Sequence, residues 1–152
     1  MIIGKLPYKS DLLRALNKIV AAKGIKAGVV QVMGTLGRAR LSFYDQKLRA
    51  YKEVDFDTSH EIVSGMGNVS CRDSSPSVHL HLAVADSEGR VVGGHCLVGC
   101  RVYAVEFAIW PFNGKAPQRV PDHATGLLLW SEGVYEEKES TATERPGLDT
   151  AE

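Results

Sequence analysis

Apolar and polar positions alternate along this chain with two different periods, and the change from one to the other divides it. Leu12, Leu13, Leu16, Ile19 and Val20 recur at helical spacing and form one apolar face. Ser10 precedes them as the expected N-cap, with Asp11 adding negative charge to the first turn. Lys18 and Lys23 lie late in the segment, and Gly24 is a suitable C-terminal stop. Past Gly24 the period falls to two. Strands are predicted over residues 27–33, 38–44, 48–56, 60–70, 78–85, 91–97 and 101–110, after a short one over 2–6 that Pro7 ends. Gly34 and Gly37 are read as bracketing a turn, and Asp45-Gln46-Lys47 as another. Short strands joined by turns at near-regular spacing point to a mainly antiparallel β-sheet. With a flanking N-terminal helix, the fold class is α+β.

The pattern loosens after Pro111. Residues 113–124 contain Pro117 and Pro121 and read as a surface loop, and 127–130 as a last short strand or an apolar plug. Residues 135–152 are rich in Glu, Thr and Ser and carry six acids against two bases. Such a segment buries little surface. The expected organisation is therefore one domain over residues 1–134 and an acidic, flexible C-terminal tail.

The overall formal charge is zero, but residues 1–134 hold 16 bases and 12 acids. That excess is mild beside what phosphate neutralisation demands of a nucleic-acid module. Cys71, Cys96 and Cys100 are odd in number, in a chain with 44% hydrophobic residues that needs no staples. Reduced thiols and a cytoplasmic location are expected. No apolar run approaches the length of a membrane span, so no membrane partner is expected.

The candidate chemistry is concentrated in Val78-His79-Leu80-His81-Leu82 and Gly93-Gly94-His95. On a strand His79 and His81 project to one face. A three-residue loop Ser87-Glu88-Gly89, with Gly89 left-handed, sets Asp86 opposite Arg90 and His81 opposite His95. The three imidazoles then converge on one face, leaving Cys96 pointing away. Imidazole suits zinc and neighbouring divalent metals, and three ligands leave a tetrahedral ion one open position. The competing reading is a polar outer strand face with a third histidine there by chance. His60 and His123 fall in turn or loop contexts and are expected to be solvated.

Glu106 shares its strand face with Val102, Ala104, Ala108 and Trp110. An acid there is a candidate general acid/base, a partner of a metal-bound histidine, or an ion-paired core residue. Glu61 is a weaker case of the same kind. The glycine-rich run from Ser64 to Asn68 lacks a Walker lysine and a following helix, so it is not a phosphate loop.

Taken together, Glu61-Ile62-Val63-Ser64, Gly67-Asn68-Val69-Ser70, His79-Leu80-His81, Val92-Gly93-Gly94-His95 and Ala104-Val105-Glu106 resemble the plant and prokaryote conserved (PPC) domain. Leu6, Asp11-Leu12-Leu13, Gly34 and Tyr44-Asp45 extend the likeness, which covers about residues 2–110. The resemblance implies a mainly antiparallel fold related to that of acetolactate decarboxylase. It also implies a stand-alone homotrimer, with a divalent metal, zinc foremost, held by His79, His81 and His95. Plant members join the domain to an AT-hook and act on DNA. The AT-hook core is absent here, and Gly37-Arg38-Ala39-Arg40 alternates as a strand. Two functions follow as expectations. One is metal-dependent chemistry on a small polar substrate, with Glu106 as acid/base; the other is a DNA-associated or regulatory trimeric module without catalysis.

Overall fold

The computed structural model describes residues 1–138. In chain order they form β1 (Ile2–Lys5), α1 (Leu12–Ala22), β2 (Gly28–Asp45), β3 (Ala50–Phe56), β4 (His60–Arg72), β5 (Ser75–Ala85), β6 (Val91–Cys96), β7 (Arg101–Pro111), β8 (Arg119–Pro121) and β9 (Leu128–Trp130). The class is α+β, an antiparallel sheet with one short helix. Among the described residues, no helix is long and apolar enough to cross a membrane.

The central element is β2. Where the glycines predict two strands and a turn, the structure has a single strand of 18 residues. Gly34 marks an irregularity within it rather than a turn. Its φ is +123°, and the pairing with β4 slips between Val32 and Gly34. A side chain at Gly34 would stand 2.1 Å from the Ala104 carbonyl oxygen. The irregularity bends β2, as bulges do, so that its two halves serve different neighbours. The first half lies between β7 and β4; the second pairs with β3 and, through Leu41–Cys96 and Ser42–His95, with β6. The path β2–β4–β5–β6 therefore returns to β2, and the sheet curls onto itself.

The inner face of that curl is the core. Leu12, Leu16 and Val20 of α1 are fully buried and share one cluster with Val30, Val69, Leu80, Val84 and Ile109. Asn17 ties the helix to β5, its side chain accepting a 2.9 Å hydrogen bond from the Val78 amide. The helix N-cap is Asp11, not Ser10. The Asp11 carboxylate accepts from Arg14 N at 2.8 Å and from Gly99 N at 2.6 Å, which pins the β6–β7 turn to the helix. Ser10 instead donates its hydroxyl to the Pro7 carbonyl. The three cysteines are free and buried.

Within the segment read as loop, residues 119–121 pair with the strand over 128–130. Residues up to Lys138 are held against the body, with Lys138 N donating to the Asn113 carbonyl at 2.7 Å. The rest of the expected tail, 139–152, lies outside the described residues.

Candidate metal centre

The β5–β6 hairpin has the register predicted from its loop. Gly89 is left-handed at φ +76°, Asp86 N donates to the Arg90 carbonyl, and His81 pairs with His95. The Asp86 carboxylate accepts from the amides of Glu88 and Arg90 and from the Arg90 guanidinium, so one side chain organises the turn. His79 and His81 leave β5 on the outer face, while Val78, Leu80, Leu82 and Val84 fill the core.

Two glycines allow the backbones to approach closely here. A methyl at Gly94 would lie 2.7 Å from the Ser42 carbonyl oxygen, where β6 meets β2. One at Gly67 would lie 2.1 Å from the His79 carbonyl oxygen, where β4 meets β5. Both are steric demands of closure around the histidines.

The ring centroids of His79, His81 and His95 are 4.8–5.5 Å apart, and one ligand nitrogen from each lies within 4.8 Å of the others. Nitrogens sharing a tetrahedral zinc at about 2.0–2.1 Å are roughly 3.3 Å apart, a difference that modest side-chain rotation covers. Burial pushes the His79 pKa down to about 4, with Arg119 and the other two histidines adding to the effect. His95 is lowered by burial, then by His81 and Arg119. Both are neutral at physiological pH and offer the lone pair that a metal needs.

A cleft of about 780 Å³ opens over the cluster, lined in part by Ser42, Tyr44, Tyr51, Arg119 and Leu128. The Tyr51 ring lies 5.9 Å from that of His95. Ser42 is 3% exposed, and its hydroxyl has no hydrogen-bond partner among the described residues. Three imidazoles beside an unpartnered buried hydroxyl are a donor set that fits a divalent metal and an oxygen-bearing ligand.

Residues 1–113 match the model of the Plants and Prokaryotes Conserved (PCC) domain. The chain belongs to that family. Its fold is shared by a metal-containing protein of Archaeoglobus fulgidus, 36% identical with a TM-score of 0.83, covering 86% of this chain and 92% of that one. A PPC protein of Pyrococcus horikoshii is 29% identical with a TM-score of 0.82, covering 86% of this chain and 90% of that one. A curated relative, the bifunctional protein GlmU of Synechococcus sp. (strain JA-3-3Ab), is 35% identical over 120 residues. The match takes in 78% of this chain and only 18% of that protein's length.

The PCC domain brings the three predicted histidines together but not Glu106. Glu106 is exposed on β7, with β2 and β4 between it and β5, and it lines a different cleft with Ile3, Lys5 and Met33. His60, expected to be solvated, is 4% exposed; its Nδ1 lies 3.0 Å from the Thr58 carbonyl oxygen and its ring packs on Phe56. His123 is exposed as expected. Glu61 is exposed and accepts a 2.8 Å bond from the Thr35 hydroxyl. Arg38 and Arg40 lie on β2, paired with Asp55 and Glu53 of β3, so that segment is strand. Sequence reasoning missed Arg119, Ser42 and Tyr51. For Ser42 a signal existed, since it is the position facing His95 once β6 closes on β2. Arg119, in a stretch read as loop and beyond the residues matched to the family, had none.

Proposed function

We propose that this PCC-domain protein holds one divalent metal ion, zinc foremost, through His79, His81 and His95, and uses it on a small polar molecule admitted by the cleft. The observation that carries this reading is the convergence of three imidazoles, two of them kept neutral by burial, at the floor of a cleft. The metal-containing A. fulgidus relative supports it. A three-histidine zinc keeps a coordination position open, where it polarises a carbonyl or acidifies a water. The protein's own part is to hold the imidazoles, narrow the approach with Tyr51, and offer the Ser42 hydroxyl to a ligand oxygen.

The reading includes self-association, expected as a homotrimer. The outer sheet face that leads to His81 carries Ile3, Val29, Met33, Met66 and Trp110, all at least 40% exposed. Exposed apolar residues gathered on one sheet face, interrupted there by Gln31, support an interface reading. The acid/base role expected of Glu106, on the same face, would require a second copy to carry it to a histidine cleft.

The test is the metal content of protein purified without a polyhistidine tag, beside His79→Ala/His81→Ala, with particle mass read by light scattering. Wild type is expected to hold about one zinc per chain and the folded double variant none, in particles of three chains. Wild type that is metal-free and takes up no added zinc would overturn the metal reading, and a monomer would overturn the trimer.

A further inference from the structure

Arg119 is the least explained charge in the molecule. It is half-buried on β8, and each of its side-chain nitrogens is engaged. Nε donates to Ser70 Oγ at 2.9 Å, and Nη1 to the Leu128 carbonyl at 3.0 Å. Nη2 donates to Asn68 Oδ1 and lies 3.0 Å from His79 Nδ1. Every one of these acceptors is neutral. Arg38 and Arg40 have carboxylate partners, but no carboxylate among the described residues pairs with Arg119. Removing a guanidinium from water without a counter-ion is costly, and four hydrogen bonds fix it in place at that cost.

The contact with His79 adds a second argument. A neutral imidazole has one unprotonated nitrogen. If His79 gives that lone pair to a metal, it has none left for Arg119, whichever nitrogen binds. One guanidinium N–H then faces the cleft without an acceptor. Among the described residues the cleft lining supplies a single acid, Glu53, and it is already paired with Arg40. An anionic ligand would supply that acceptor and neutralise the charge as well. A planar guanidinium edge matches a carboxylate in shape and in hydrogen-bond geometry.

We propose that Arg119 is the anion-recognition group of this cleft and binds the carboxylate of a small organic acid beside the three histidines. This rests on the histidine reading for the position of the ligand, but the anion site itself stands on Arg119. The hairpin that carries Arg119 is fastened down independently. Tyr44 donates its hydroxyl to the Thr125 carbonyl at 2.7 Å, and Arg49 donates to the Ala124 carbonyl at 3.0 Å.

The experiment titrates propionate, and its neutral counterpart propionamide, into metal-free and zinc-loaded protein. The readout is the NMR signal of the Arg119 Nε–H group, assigned by its loss in Arg119→Gln. Propionate is expected to shift that signal saturably, and propionamide to leave it in place. The amide signals of the cleft should report propionate binding at least about tenfold weaker in Arg119→Gln, the usual worth of one charge-assisted pair. Arg119→Lys keeps the charge without the fork; it should fall between and serves if the glutamine variant does not fold. Equal binding of propionamide, no shift in either protein, or unchanged affinity in the variants would each overturn the proposal. Preference for inorganic phosphate would overturn the carboxylate class. Failure to take up zinc would sink the metal reading separately, since the metal-free titration still decides whether Arg119 binds the anion.

Discussion

Gly94 offers a direct test of how the fold builds the histidine cluster. Its φ lies outside the left-handed region, so alanine meets no backbone penalty, and any cost is steric. The added methyl would stand 2.7 Å from Ser42 O, 3.4 Å from Ser42 C and 3.5 Å from Leu41 Cβ, against ordinary contact from 3.4 Å upward. The nearest atom is backbone oxygen, which cannot rotate away as a side chain could. Strand β6 must therefore retreat from β2 by several tenths of an ångström. It is held there by two residue pairs, Leu41–Cys96 and Ser42–His95, and by the Leu97 amide donating to the Arg40 carbonyl just beyond them. Overpacking of this kind costs about 1–3 kcal/mol, and His95, the next residue, moves with the strand. Displacing a ligand's support typically lowers metal affinity by about tenfold or more. Gly94→Ala should thus lower both the denaturation midpoint in urea and the zinc affinity measured by competition with a chelating dye. A variant with wild-type stability and wild-type zinc affinity would refute the claim that the β2–β6 closure positions His95.

Two further outcomes follow. Asn17→Ala removes the acceptor of the Val78 amide at a point where β6 has not yet begun to pair with β5. It should cost about 1–3 kcal/mol with an unchanged urea m-value, and an unchanged midpoint would show that water replaces the side chain. The Asp86 carboxyl is held below its usual range, chiefly by its hydrogen bond from Arg90. A depressed carboxylate stabilises the fold above its ordinary value of 3.8 and loses that contribution as pH falls through the lower folded value. Exchange of the Glu88 and Arg90 amides should therefore speed up, relative to the rest of the sheet, only below about pH 4. Uniform protection across that range would remove Asp86 as the organiser of the turn.

Much of the site was legible because its geometry is local. Period-two alternation sets the faces of His79 and His81, and a short loop with one left-handed glycine fixes the register that brings in His95. The helix was legible for the same reason. The features that escaped depend on distant partners. Gly34 and Gly37 look like a turn because a glycine that bends a continuous strand and one that ends it carry the same local signal; only pairing with β7 and β4 distinguishes them. Asp11 displaced Ser10 as the cap because its carboxylate also serves Gly99, far along the chain. Burial of His60 depends on Phe56 and on the position of β4, and placement of Arg119 on a hairpin that no periodicity announces. The surroundings of Glu106 also depend on distant pairing. Alternation puts Val102 on the face of Glu106, but the pairing of β7 with β2 slips between Val102 and Ala104, so Val102 is buried on the opposite side while Glu106 faces outward, with β2 and β4 between it and β5.

The long central strand has a consequence for how the chain is made. Gly28 to Thr35 need β7 on one edge and β4 on the other, and β1 is joined to the sheet through β7. Pro111 pairs with Gly28, so one whole edge of β2 stays open until the ribosome has delivered the last residues of β7. In that interval Val29, Val30 and Val32 present an unpaired strand edge of the sort that recruits other chains. The pairing that finally covers it spans most of the sheet-forming sequence, a contact order that favours slow folding. Soluble yield should therefore respond to the time between synthesis of β2 and release of β7, and slow codons placed between them should cost more protein than the same codons placed after Pro111.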